Sequence, residues 1–333
     1  MSGTSLDGLD LCFAKFSKEN SQWKFDILKS ETIKYSANLM KELSIATSYN
    51  GEELTHLNIR LGKYFGEKTN QFIKTNQLKV DYIASHGHTI FHQPENNFTL
   101  QIGSGQEIAN LTNTPVIYDF RTKDISLGGQ GAPLVPIGDQ QLFSEYDACI
   151  NLGGIANISY QNKQNQRIAF DICSFNMGLN YLANKKGLNY DDQGNLAKKG
   201  TLIPELLSTL NQLDFYNLSH PKSLGIEWFN HNILSLIETT THSTEDILNT
   251  LSHHAAEQIS ITINEVIGEN ILITGGGAYN TYIIDLIKSK TNKTIHLPSN
   301  EIIDFKEALV FGFLGIFFSS FNFSIVVKKN SAG

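Results

Sequence analysis

Three glycine-rich turns and a few acidic residues carry the chemistry that this sequence can offer. The chain opens on Gly3, Thr4, Ser5, Leu6, Asp7, Gly8, Leu9 and Asp10, which combine small residues, hydroxyls and carboxylates in one turn. Glycines bring backbone N–H groups close to an anion, hydroxyls add donors, and a carboxylate such as Asp7 can hold a magnesium ion against phosphate oxygens. The stretch reads as a polyphosphate cradle. Gly153-Gly154 and Gly275-Gly276-Gly277 repeat the pattern. One nucleotide could be gripped by all three turns, with the first two at the phosphates and the third under the nucleoside, where missing side chains let a ring approach the backbone. The alternative is three unrelated turns in a chain with 26 glycines. No G-x-x-x-x-G-K-[ST] occurs, which excludes a Walker-type site, and Gly103-Ser104-Gly105 lacks the third glycine of a Rossmann fingerprint.

Other side chains offer two readings each. Asp171, at the expected end of a strand beside Asn176, could take a proton from an attacking water as a general base, or could cap the strand end. Arg121 could clamp a carboxylate through its planar fork, or pair with Asp119 or Asp124. His86, His88 and His92 have a spacing that suits a metal and equally suits hydrogen-bond donors lining a polar pocket. Cys173 reads as a packed thiol.

The elements that must position these groups alternate strand and helix. Strands are expected at Leu9 to Phe13, Trp23 to Ile27, Val80 to Ser85 (stopping at His86-Gly87-His88), Phe98 to Ile102 and Val116 to Tyr118. Helical spacing marks Leu39 to Ala46, Glu52 to Ile73 and Gln106 to Leu111. The Gly/Pro run Gly128 to Pro133 breaks the pattern and is expected to cross between domains. Beyond it, Ala148 to Leu152 and Ile155 to Tyr160 form a hairpin, and Arg167 to Asp171 is a further strand. Helices are predicted at Asn176 to Lys186, Pro204 to Leu213 and Glu245 to Ile267, then a strand at Asn270 to Ile273 and a helix at Tyr279 to Lys288.

A chain of 333 residues, 41% hydrophobic and 18% charged, has room for two globular domains. Its net charge of -7 argues against a nucleic-acid footprint or attraction to anionic membranes and favours small-molecule partners. Three scattered cysteines suit a reducing cytosol, and no signal peptide is expected. Ala308 to Val327 is uncharged, but Gly312, Gly315, Ser319, Ser320, Asn322 and Ser324 interrupt it. A buried helix running into a strand is expected there, not a membrane span.

Several segments together resemble the anhydro-N-acetylmuramic acid kinase family, within the actin-like sugar kinase/Hsp70 superfamily. They are Met1 to Gly8, Ser85 to Ile90, Thr99 to Gly103, Asp119-Phe120-Arg121, Gly128 to Pro136, Asn151 to Asn157, Gly275 to Asn280 and Lys306-Glu307-Ala308, in the family's order. The resemblance implies an α/β fold of two ribonuclease-H-like (actin/hexokinase-type) domains around a cleft, with mixed sheets flanked by helices. Domain I would be residues 1–127 plus about 305–333, and domain II residues 128–304. It further implies ATP and Mg2+ as cofactors and 1,6-anhydro-N-acetylmuramic acid as the sugar substrate, converted to N-acetylmuramic acid 6-phosphate in murein recycling in the cytoplasm. Asp171 would be the base, Asp7 the magnesium ligand, residues 3–10 and Gly153-Gly154 the phosphate loops, and Gly275 to Gly277 the nucleoside turn. His86, Arg121, Asn176 and Glu307 would meet the sugar. No nucleic acid or membrane partner is implied, and a homodimer is a possible state.

The chain also departs from the family pattern. Asp171-Ile172-Cys173-Ser174-Phe175-Asn176 stands where the family has D-T-G-P-x-N, and His88 stands where a glutamine is commoner. The family's Val-Thr-Gly-Ala ending is not found in Phe317 to Gly333, and its apolar strand ahead of the first loop is missing, since Met1 already lies in that loop. These departures keep open a catalytically impaired or non-catalytic nucleotide-binding relative, or a kinase for another sugar acid.

Overall fold

Alternating apolar residues after the first loop build β1 (Leu9–Glu19), which pairs antiparallel with β2 (Gln22–Ile33). Positive φ at both Asn20 and Ser21 gives the tight turn whose twist matches such a hairpin. The structure is a computed structural model that describes residues 1–3 and 6–320. It divides into two compact units, Met1–Leu142 with Phe305–Gly333, and Phe143–Asp304.

In the first unit α1 (Ala37–Ile45) starts on the Ser36 cap. α2 (Gly51–Thr75) starts on a capping box in which Asn50 and Glu53 satisfy each other's backbone N–H groups. There follow β3 (Ile83–Ser85), β4 (His88–Gln93), β5 (Phe98–Ile102), α3 (Gly105–Thr112), β6 (Val116–Tyr118), α4 (Thr122–Ser126) and α5 (Val135–Leu142). β3 pairs parallel with β6, and β4 antiparallel with β5. Ser2 bridges antiparallel to Leu9 and parallel to His88. Leu9, Leu57, Leu61, Phe65, Ile102 and Ile108 form the core beneath these elements.

The second unit is organised on one sheet. β7 (Ala148–Leu152), β8 (Ile155–Gln161) and β9 (Arg167–Ser174) run as an antiparallel meander. The chain then passes through α6 (Asn176–Lys185), α7 (Pro204–Asn211), α8 (Asp214–Asn217), α9 (Ile226–Phe229), a π turn at Asn230–Leu234, α10 (Ser235–Thr239) and α11 (Thr244–Glu265). It returns as β10 (Asn270–Thr274), α12 (Thr281–Ser289) and β11 (Thr294–His296). The sheet order is β11-β10-β7-β8-β9, with β10 and β11 parallel to their neighbours. Read from β9, that is third-second-first-fourth-fifth, a mixed sheet of the kind the resemblance implies. Ile150, Leu152, Ile271, Leu272 and Ile273 are fully buried, which explains why the two central strands read as continuous apolar runs.

The final helix, α13 (Asn300–Ser320), absorbs the long apolar stretch. Val310, Phe311 and Leu314 pack with Phe120 and Leu134 in a second core of the first unit. No helix among the described residues is long and apolar enough to cross a membrane. The strand expected after this helix, and the ending compared with the family's, run beyond residue 320 and lie outside the described residues.

Two expectations change. The Gly/Pro run from Gly128 lies inside the first unit, because the division falls between Leu142 and Phe143. β9 does not end at Asp171: with Cys173 and Ser174 in place of the family's glycine and proline, and with Ile172 and Cys173 buried, pairing continues to Ser174.

Candidate active site

The opening loop presents one open carboxylate. Leu6 turns left-handed at φ 61°, and its N–H donates to the Gly3 carbonyl at 3.2 Å. Gly8 lies against β2, where a Cβ would sit 2.5 Å from the Ile33 carbonyl oxygen. Leu9 anchors the loop in the core. Asp7 is exposed. Asp10 is half-buried, accepts the Thr32 hydroxyl at 2.6 Å, and exchanges backbone hydrogen bonds with Met1. Of the two carboxylates, Asp7 is therefore the one open to a cation. Thr4 and Ser5, expected as further donors, lie outside the described residues.

His86, Arg121 and Glu307 form one polar cluster in the first unit. The Arg121 Nε–H donates to His86 Nε2 at 3.0 Å, and Arg121 Nη1 donates to the Gly131 carbonyl at 2.8 Å. His86 Nδ1 lies 3.1 Å from the Gly87 carbonyl, so the ring is neutral with its proton on Nδ1. Burial, followed by the Arg121 charge, pushes its pKa down to about 3. Phe311 packs on the same imidazole at 4.5 Å between ring centroids, one helical turn after Glu307. Glu307 keeps an exposed face, yet desolvation by the protein around its carboxyl raises its pKa despite the pull of Arg121, with the Asp10 charge adding to the rise. Burial also lowers the Arg121 pKa, against Glu307. Among the described residues two of the guanidinium's N–H groups are thus fixed to protein, and its planar fork has the geometry that grips a carboxylate.

The Gly/Pro run aims that arginine. Asp124 Oδ2 accepts the Gly131 N–H at 2.6 Å, and the Asp124 carbonyl accepts the Gly129 N–H at 2.9 Å. A Cβ on Gly129 would fall 2.2 Å from the Asp124 carboxylate, and Gly131 has φ 66°. Glycines here let the loop wrap Asp124 and present the Gly131 carbonyl to Arg121. Beneath, α13 is pinned to α5 by a buried ion pair, Lys306 to Asp139 at 2.7 Å. His88 takes another role, in a buried chain where the Tyr35 hydroxyl donates to Ser2 Oγ at 2.6 Å and Ser2 Oγ meets His88 Nδ1 at 3.0 Å. His92 instead meets Thr99 Oγ1 at 3.2 Å. The three histidines face three different partners.

In the second unit two glycine turns meet at the end of β7. The N–H groups of Phe175, Asn176 and Met177 donate to the Gly154, Gly153 and Gly154 carbonyls at 2.9, 3.2 and 3.1 Å. The carbonyls of the tip are held inward by the start of α6, and Gly154 is exposed. Asn176 also gives its side-chain amide to the Leu152 carbonyl at 3.2 Å, which ties α6 to the turn. Gly275 has φ 83°, and a Cβ there would lie 2.5 Å from Asn151 Oδ1. A Cβ on Gly277 would lie 2.3 Å from the Phe175 ring and 2.7 Å from Leu152. Gly276 differs, since a Cβ there meets no heavy atom within 4 Å. Protein packing demands the first and third glycines of the run but not the second, which leaves open space above its backbone.

Asp171 lies one strand away, on β9 opposite Asn157. Its Oδ2 accepts the Leu224 N–H at 2.8 Å, and its own N–H donates to the Lys222 carbonyl at 3.0 Å. Burial raises its pKa and the Leu224 hydrogen bond lowers it. Cys173 is fully buried and its thiol is pushed up by burial and by the Asp171 charge, so it is not a nucleophile. Sequence reading overlooked the Lys222-Ser223-Leu224-Gly225 segment. Its cue was a short polar stretch ending in glycine between two apolar helical patterns.

A meander joined to two parallel strands, with glycine turns at strand ends and a carboxylate on the third strand, defines an α/β unit of the ribonuclease-H-like type. Residues 1–320 match the family model described as anhydro-N-acetylmuramic acid kinase. An anhydro-N-acetylmuramic acid kinase of Bacillus cereus is 32% identical over 344 residues, covering 94% of this chain and 90% of that protein. One from Legionella pneumophila (strain Paris) is 33% identical over 332 residues, covering 94% and 89%. Among solved structures, a ROK family glucokinase from Streptomyces griseus in complex with glucose and AMPPNP is matched at 9% identity and a TM-score of 0.38, over 91% of this chain and 98% of that one. The chain belongs to the anhydro-N-acetylmuramic acid kinase family.

Proposed function

We propose that this chain opens 1,6-anhydro-N-acetylmuramic acid with water and phosphorylates the freed 6-oxygen, giving N-acetylmuramic acid 6-phosphate in murein recycling. The observation that carries the reading is Asp171, a half-buried carboxylate held by one backbone N–H in a chain that matches the family from end to end of its described residues. Asp171 accepts a proton from water as the water oxygen bonds to the anomeric carbon. The bond from that carbon to the bridging oxygen breaks, and the oxygen carries its electron pair to phosphorus. ATP supplies the γ-phosphoryl group as its bond to the β,γ-bridging oxygen breaks and ADP leaves; magnesium, when bound, would supply charge neutralisation there.

The chain's residues fit those groups. Exposed Asp7 would hold the metal, and the N–H groups of the opening loop and of Gly153-Gly154 would meet the phosphates. Open space above Gly276, which no protein atom requires, suits the flat face of a nucleoside. Arg121 would take the lactyl carboxylate of the sugar, with neutral His86 fixing the guanidinium from behind and Glu307 offering a polar contact. The cytoplasm, with its supply of ATP, would be the compartment of the reaction.

The test is incubation of the pure protein with ATP, magnesium and the anhydro sugar, followed by mass spectrometry. The expected product is heavier than the substrate by one water plus one phosphoryl group. A product that gains the phosphoryl group without the water, or no product, would overturn the reading.

A further inference from the structure

A strap of chain lies along Asp171, and a single lysine ties it down. The strap exchanges two hydrogen bonds with Asp171, the Lys222 carbonyl accepting the Asp171 N–H and the Leu224 N–H donating to Asp171 Oδ2. The Lys222 ammonium turns away from the carboxylate. It donates to the Phe215 carbonyl at 3.0 Å and the Tyr216 carbonyl at 3.5 Å, on α8, and lies 4.6 Å over the Phe215 ring. The one-turn helix α8 is itself anchored. The Tyr216 hydroxyl lies 2.8 Å from His254 Nε2 on α11, and His254 Nδ1 lies 2.6 Å from Asn211 Oδ1 on α7. His254 is buried, with its pKa pushed down to about 4 by that burial, so it stays neutral and accepts the tyrosine proton at Nε2. Contacts therefore run unbroken from the core helix α11 through Tyr216 and Lys222 to the N–H at Leu224.

We infer that Lys222 is a positioning residue for the reaction: its ammonium holds the strap so that the Leu224 N–H reaches the Asp171 carboxylate. The inference rests on the reading of Asp171 as the base. Burial favours the protonated carboxyl, and the one N–H that favours the carboxylate comes from this strap. The titratable groups near Asp171 are Cys173 on its own strand and Lys222 on the strap. Tyr216 of α8 and Glu265 of α11 lie further along, the first near Cys173 and the second near Lys222, and His220 stacks on Phe170 at 4.9 Å. Cys173 and Tyr216 are both pushed up by burial.

Lys222→Met keeps the aliphatic stem over Phe215 and removes the donors, and Lys222→Arg restores donors to the same two carbonyls. In Lys222→Met, kcat at neutral pH should fall about tenfold to a hundredfold, the range for losing a hydrogen bond to a charged group. The acid limb of its pH profile should move to higher pH while the KM for ATP holds, and Lys222→Arg should recover most of the loss. Carbon-13 NMR of the Asp171 carboxyl should show the same upward displacement without any turnover. In the unmodified protein the Leu224 amide proton should titrate together with that carboxyl. If the carboxyl titrates alike in wild type and Lys222→Met, or if the Leu224 amide ignores its titration, the inference falls. If the carboxyl titration moves and the rate profile does not, the strap's hold on Asp171 stands and the assignment of Asp171 as base falls.

Discussion

Replacing Gly276 and Gly277 separately by alanine should divide packing from ligand binding within one three-residue turn. At Gly277 the added carbon would stand 2.3 Å from the Phe175 ring, 2.7 Å from the Leu152 side chain and 3.0 Å from the Leu152 carbonyl. Both neighbours are buried, Phe175 at 2% exposure and Leu152 at 0%, so neither can swing into solvent. Overpacking of this kind costs about 1–3 kcal/mol. For a domain of this size that is a fall in melting temperature of roughly 3–10 °C. At Gly276 nothing lies within 4 Å of the added carbon and φ is not left-handed, so the melting temperature should stay within about 2 °C of wild type or rise slightly. If a nucleoside covers that backbone, however, a methyl group there should weaken nucleotide affinity by about tenfold or more, and leucine should weaken it further. Circular-dichroism melts paired with calorimetric titration of a non-hydrolysable ATP analogue and magnesium measure both quantities. Wild-type affinity in Gly276→Leu would refute the placement of the nucleoside, and a wild-type melt of Gly277→Ala would refute the packing argument.

Three further outcomes are expected. Asp171→Asn should lower turnover by about a hundredfold to ten-thousandfold and leave nucleotide binding nearly intact, as read by single-turnover kinetics and calorimetry. In the wild type, activity should be lost in acid as pH falls through the raised pKa of Asp171, because only the carboxylate can accept the proton. Arg121→Lys loses the fork that spans His86 and the Gly131 carbonyl, so the KM for the sugar should rise about tenfold or more with the KM for ATP unmoved; equal changes in both would contradict a carboxylate clamp. Glu307→Gln should raise the melting temperature at neutral pH and lower turnover. Desolvation raises the folded pKa of Glu307, screened by solvent on its exposed face, so a small stabilising contribution is complete below the unfolded value and is lost as pH rises through the folded one. The neutral variant escapes that loss, and the two melting curves should converge in acid. Melts over a pH series check this, and a variant less stable than wild type at neutral pH would reverse the argument.

Short-range patterns were legible in the sequence because their causes are local. Alternation at Leu9 to Phe13 and Phe98 to Ile102, the helical spacing of Glu52 to Ile73, and the apolar runs of β7 and β10 each depend on neighbouring residues alone. The order of glycine turns and acidic residues likewise sufficed to name the family, since a phosphate loop needs small residues wherever it occurs. Element ends were less legible. β9 outruns Asp171 because Ile172 and Cys173 are buried in the sheet, and burial is a property of the fold.

What the tertiary structure decided is which side chain meets which. Residues far apart in the chain, His86, Arg121 and Glu307, become one cluster only when β3, the end of β6 and α13 pack together, and their ionisation follows from that burial. Spacing alone made His86, His88 and His92 look like one group, yet folding sends them to Arg121, Ser2 and Thr99. Gly276 and Gly277 are identical letters, and only the presence of Phe175 and Leu152 beside one of them separates a packing glycine from one that leaves room for a ligand. Sequence determined which residue types were available for phosphoryl transfer. Packing decided which of them would be neutral, which charged and which held in place, because desolvation and hydrogen-bond geometry depend on neighbours that the chain brings from a distance.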